Sequence, residues 1–74
     1  MKKILLLAGE GDIPLLIYEK AKKEGEVLVL SSLLFSLPEG LKPDLWIDGI
    51  SLTQILKVIR EKKITHLCLA GKIP

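Results

Sequence analysis

The chain has 74 residues, of which 49% are apolar but only one each is Trp, Tyr and Phe, and its net charge is +2. A domain near this length buries only about 60% of the surface that its unfolded form exposes, so stability is marginal, and the core is expected to be aliphatic. Lys and Glu are interspersed without a basic stripe, which excludes a phosphate-tracking nucleic-acid surface. The single Cys68 excludes an internal disulfide framework and zinc-type ligand spacing, and no apolar run approaches the ~18 residues of a membrane span. A soluble, cytoplasmic protein is the expectation.

Lys3 to Ala8 is a continuous apolar run, the pattern of a strand buried on both faces of a parallel sheet. Met1-Lys2-Lys3 ahead of it resembles the start of a signal peptide, but the run is short and acidic Glu10 and Asp12 follow, so a buried strand is the better reading. The turn Gly9-Glu10-Gly11-Asp12-Ile13-Pro14 comes next. From there Ile13, Leu16, Ile17 and Ala21 keep helical spacing, with Glu19, Lys20, Lys22, Lys23 and Glu24 facing away, and Gly25 ends the helix. Asp12 is its expected N-cap, bonding the Leu15 amide because Pro14 has no N–H.

Glu26 to Ser31 carries Val27-Leu28-Val29-Leu30, a second buried strand at the usual βαβ distance and therefore parallel to the first. Residues 32–43 hold Pro38, Gly40 and Pro43 beside the apolar cluster Leu33-Leu34-Phe35 and Leu37, and are expected to form a structured loop. Asp44 to Asp48, around Leu45-Trp46-Ile47, is a short third strand. Ser51-Leu52-Thr53-Gln54 reads as a capping box opening a second helix, whose apolar stripe is Leu52, Ile55, Leu56 and Ile59 and which runs to the neighbourhood of Lys63. Thr65 to Ala70 is the fourth strand, closing at Gly71-Lys72.

This order predicts an α/β fold: a small Rossmann-like three-layer unit with a four-stranded parallel sheet of order 3-2-1-4 and about one helix per face. The ends of strands one and four then meet at the topological switch point, where open α/β sheets bind ligands. Gly9, Glu10, Gly11, Asp12, Gly71 and Lys72 are the resulting candidate binding residues. The glycines permit positive φ and close approach to backbone amides, the helix start favours phosphate, and Lys72 supplies a cation. The competing reading is a tight turn without a ligand, with Asp12 as a cap and Lys72 solvated. With so few helices, apolar surface stays exposed, and a missing domain or a second subunit is expected to cover it through Leu34, Phe35 and Leu37.

Two familiar nucleotide loops do not fit. Pro14 stands where a dinucleotide fingerprint has its third glycine, and strand two ends in Ser31-Ser32 without the acid that holds a ribose. The glycine spacing is also wrong for an ATP-binding loop, and no Lys-Ser or Lys-Thr follows. His66 and Cys68 alternate on one face of strand four, where residues two apart usually fill core and do not act as a catalytic pair.

Leu7-Ala8-Gly9-Glu10-Gly11-Asp12-Ile13-Pro14 and Ala70-Gly71-Lys72-Ile73 resemble the two signatures of the N-terminal domain of LpxI-type UDP-2,3-diacylglucosamine pyrophosphohydrolases. Ser51-Leu52-Thr53-Gln54 is similar to that family's serine-leucine-glycine-glutamine segment, with Thr53 in place of the glycine, and Glu10 and Asp12 make the turn more acidic than its common form. The resemblance implies a cytoplasmic, membrane-peripheral step of lipid A synthesis. In it a divalent metal, Mg or Mn, helps water cleave a UDP-diacylglucosamine to UMP and lipid X between two domains. The family's catalytic carboxylates lie in its larger C-terminal domain, so residues 1–74 are expected to be the N-terminal domain of a larger protein, to hold neither catalytic residues nor metal, and to be inactive alone. The alternative is a stand-alone nucleotide- or phosphate-binding or dimerisation module.

Overall fold

The computed structural model describes residues 2–32, 35–49 and 51–72. The elements are β1 (Lys3–Ala8), α1 (Ile13–Lys22), β2 (Glu26–Ser32), β3 (Leu45–Ile47), α2 (Leu52–Glu61) and β4 (His66–Ala70). All pairings in the four-stranded sheet are parallel and its order is β3-β2-β1-β4, as the crossover rules require. Register runs Leu5 to Leu28 on one side of β1 and Leu5 to Leu67 on the other. β1 is thus central, and its uninterrupted apolar sequence follows from burial on both faces: Leu5 and Leu6, neighbours pointing to opposite sides, are both fully buried.

Each face carries one helix. On the α1 side, Leu6, Ala8 and Val29 pack with Leu15, Ile17 and Tyr18, and Leu41 from the β2–β3 connection completes that core at 4% exposure. On the α2 side, Leu5, Leu30 and Ile55 pack with Leu45, Ile47, Val58 and Ile59. Leu41 is the core residue least legible in the sequence, because it sits alone between Gly40 and Lys42 with no periodic pattern around it.

The helical stripes differ from those expected. Pro14 and Ala21 are buried and Ile17 and Tyr18 half-buried, a stripe at i, i+3, i+4 and i+7, while Ile13 and Leu16 are exposed. In α2 the inward residues are Ile55, Val58 and Ile59, and Leu52 and Leu56 face solvent. Both helices have apolar residues on two adjoining faces, so spacing alone fits more than one rotation. Docking on the sheet selects one.

The caps were also partly misread. Ser51 Oγ accepts from the Gln54 amide at 3.3 Å, as an N-cap should, and α2 closes in a Schellman motif in which the amides of Lys63 and Ile64 bond the carbonyls of Arg60 and Ile59. Asp12, by contrast, makes no side-chain cap bond: its backbone is already helical, at φ −90° and ψ −18°, and not in the extended conformation that an N-cap usually adopts. The first helix stops at Lys22, before Gly25, whose lack of a Cβ serves instead to let the chain pass against Lys2.

Candidate functional site

The C-terminal ends of all four strands lie along one edge of the sheet, and that is where the two glycine segments meet. The Gly9 amide donates to the Ala70 carbonyl at 2.7 Å. Glu10 and Lys72 then exchange a reciprocal pair of backbone bonds, of 2.9 and 2.8 Å, in an antiparallel bridge. Strands that run parallel as β1 and β4 are therefore zipped together just beyond their ends. The zipper explains two glycines sterically. A Cβ on Gly9 would lie 2.6 Å from the Lys72 carbonyl oxygen, and one on Gly71 would lie 2.7 Å from the Gly9 carbonyl carbon.

This corrects the expected chemistry of the turn. Positive φ belongs to Gly11, at 106°, and Gly71, at 99°, and Gly9 is not among the residues that adopt it. The amides of Gly9 and Glu10 already have carbonyl partners, so they are not a ready phosphate cradle. The Glu10 carboxylate is not a free loop acid either. Glu10 is half-buried and its Oε2 accepts from the Ser36 amide at 3.1 Å, tying the turn to the β2–β3 connection.

Beside the zipper, on the α2 face, is a cavity of about 110 Å³. Its rim includes Gly9 and Gly71, its wall is largely aliphatic, with Leu7, Leu30, Ile47, Ile55 and Leu69, and Phe35 and the Ser31-Ser32 end of β2 close it from the connecting segment. Ser31 is buried and its hydroxyl donates to the Ala8 carbonyl at 2.8 Å, which satisfies it within the fold. Of the residues expected at the site, Gly9 and Gly71 line this cavity. Glu10 and Lys72 form the bridge alongside it, and Gly11 and Asp12 are exposed and stand outside its wall.

Sequence reasoning passed over Ile55, Gly49 and Phe35 as cavity residues and treated Ser31-Ser32 only as a missing acid. The available signal was the strand alternation: once β1 to β4 are placed, the α2-facing residue nearest each strand end is a wall candidate. Phe35 was expected to contact a partner with Leu37. Instead Phe35 lines the cavity and Leu37 packs on the α1-side core, while Leu34 lies outside the described residues. Exposed leucines lie elsewhere, at Leu67 and Leu69 on β4, at Leu52 and Leu56 on α2 and at Leu16 on α1.

His66 and Cys68 do not meet the cavity. His66 Nδ1 pairs with Thr65 Oγ1 at 2.8 Å at the start of β4, and Cys68 packs against the α1-side core. Among the described residues no three His, Cys, Asp or Glu side chains come together to hold a metal ion. The described residues therefore do not fit a divalent-metal centre. No helix among them is long and apolar enough to cross a membrane.

Beside this geometry stands one comparison: the model of the LpxI N-terminal domain family matches residues 3–74. The chain belongs to that family. The match runs through the glycine turn, the Ser51 cap and the Gly71 segment together, and it places the chain in an enzyme family of lipid A biosynthesis. No curated protein and no solved structure gave a significant match. In the LpxI N-terminal domain seen here, the two glycine segments are thus one structural unit, joined by four backbone groups of Glu10 and Lys72.

Proposed function

We propose that the domain frames the substrate of a UDP-2,3-diacylglucosamine pyrophosphohydrolase, with chemistry carried out by carboxylates and a Mg or Mn ion in a companion domain. Family membership over residues 3–74 supports this reading most directly. The zipped turns at the switch point, a usual place for ligands on an open α/β sheet, agree with it. In this proposal Gly9, Glu10, Gly11, Asp12, Gly71 and Lys72 form one lip of the cleft. The aliphatic cavity behind that lip suits an apolar portion of the substrate better than its pyrophosphate, since the Gly9 and Glu10 amides are already bonded. Lys72, exposed beside the cavity, is the cation of this lip.

The exposed leucines of β4 and α2 favour one further element of the proposal, that a companion domain or second copy covers this face. The test is release of UMP from the lipid substrate by the full-length parent with magnesium or manganese present. Activity is expected in the parent and none in the isolated domain. A parent that releases no UMP would exclude the assignment, leaving a nucleotide-binding or dimerisation module. Addition of UMP with amide shifts confined to Gly9–Asp12 and Gly71–Lys72 would favour the nucleotide-binding module.

A further inference from the structure

We infer that Glu10 is a positioning residue: its carboxylate latches the Phe35-bearing segment to the zipped ends of β1 and β4, and so fixes the wall that closes the cavity. The described part of the connection from β2 to β3, residues 35–44, touches both sides of the sheet. Leu37 and Leu41 anchor it in the α1-side core, yet Phe35 lines the cavity on the α2 side. The chain therefore crosses the edge of the sheet between Phe35 and Leu37, and Ser36 is the crossing point. That is the residue whose amide Glu10 Oε2 grips at 3.1 Å.

The grip has a fixed base. Both backbone groups of Glu10 are bonded to Lys72, and Gly9 and Gly71 are in backbone contact behind it, so the carboxylate projects from a doubly held strand end. An ionised acceptor on an amide is also stronger than a neutral one. On the far side, the Phe35 amide donates to the Ser32 carbonyl at 3.1 Å, which holds one end of the wall to β2. Removal of the carboxylate frees the crossing point between the Ser32 bond on one side and the Leu37 anchor on the other, and the Phe35 wall loosens. The relevance of this wall to substrate rests on the role proposed above; the latch itself does not.

The experiment compares wild type, Glu10→Ala and Glu10→Gln in the full chain. Amide exchange is read at Ser36, and xenon, which enters apolar cavities of this order, is titrated with the side-chain methyl shifts of Leu7, Leu30 and Ile55 as reporters. In Glu10→Ala, exchange at Ser36 is expected to rise and xenon affinity to fall, each by about 3- to 10-fold, the range of one ordinary hydrogen bond. Exchange at Leu5 and Leu6 stays unchanged, and Glu10→Gln, which keeps an acceptor oxygen, lies in between. Unchanged Ser36 exchange in both variants overturns the latch, and faster exchange with unaltered xenon affinity overturns its control of the wall. UDP-N-acetylglucosamine is titrated separately. Its failure to bind any form, wild type included, counts against the substrate-framing role and leaves the xenon result to decide the latch.

Discussion

At the scale of single residues, the glycines of the candidate site are distinguished by what a methyl group would meet. Gly71 combines positive φ with backbone contact, Gly9 has the contact without the positive φ, and Gly11 has φ of 106° with nothing within 4 Å of an added Cβ. Overpacking against backbone and a disfavoured φ each cost about 1–3 kcal/mol. Urea denaturation of the three alanine variants should therefore rank Gly71→Ala as most destabilising, by about 2–5 kcal/mol. Gly9→Ala and Gly11→Ala should each fall near 1–3 kcal/mol, about what one of the two effects costs. Equal losses at Gly71 and Gly11 would show that the zipper contact does not matter to stability. From the sequence, Gly9 and Gly71 could be placed at the same sheet edge, as a ligand loop or a tight turn, without their contact being legible. Their contact joins residues more than sixty apart, and a local pattern cannot show that.

At the scale of elements, the end of α2 is the informative case. Its Schellman closure requires a left-handed residue, and the position is occupied by Lys63 at φ 55°. The apolar contact that accompanies the motif is present, since Ile59 and Ile64 both pack on the α2-side core. A side chain in this conformation is disfavoured relative to glycine, so Lys63→Gly is expected to stabilise the chain by about 0.5–1 kcal/mol, read as a higher urea midpoint with unchanged slope. No gain would mean that Lys63 stabilises this turn by another route. Element existence and order were readable because each strand carries an apolar run and each helix follows a glycine or serine signal. Helix rotation was not: Leu16 and Leu56 are as apolar as the residues that pack, and only the shape of the sheet surface separates them.

At the scale of the molecule, the Cα radius of gyration is 11.3 Å, matching the roughly 11 Å expected for a globular chain of this length. The exposed leucines are thus not a sign of loose packing. Those on edge strand β4 arise because the α2-side core is built on β1, β2 and β3, leaving Leu67 51% and Leu69 72% exposed. Replacing both by Ser is expected to change stability by less than about 0.5 kcal/mol each, as for other exposed positions. Wild type is expected to sediment in a concentration-dependent way, and the double variant less so. A wild-type chain that stays a monodisperse monomer at millimolar concentration would count against a second copy on this face.

The sequence alone determined the α/β class, the parallel order 3-2-1-4, the Ser51 cap and the family, because these follow from local apolar periodicity, chain order and short signatures. Only the tertiary structure showed what the glycine turn contacts. Segments at opposite ends of the chain must come together before the Gly9 and Glu10 amides find their carbonyl partners, and the β2–β3 connection must dock before Glu10 meets Ser36 and Leu41 finds the core. A residue's partner across the sheet is fixed by docking and register, and no window of neighbouring residues contains that information.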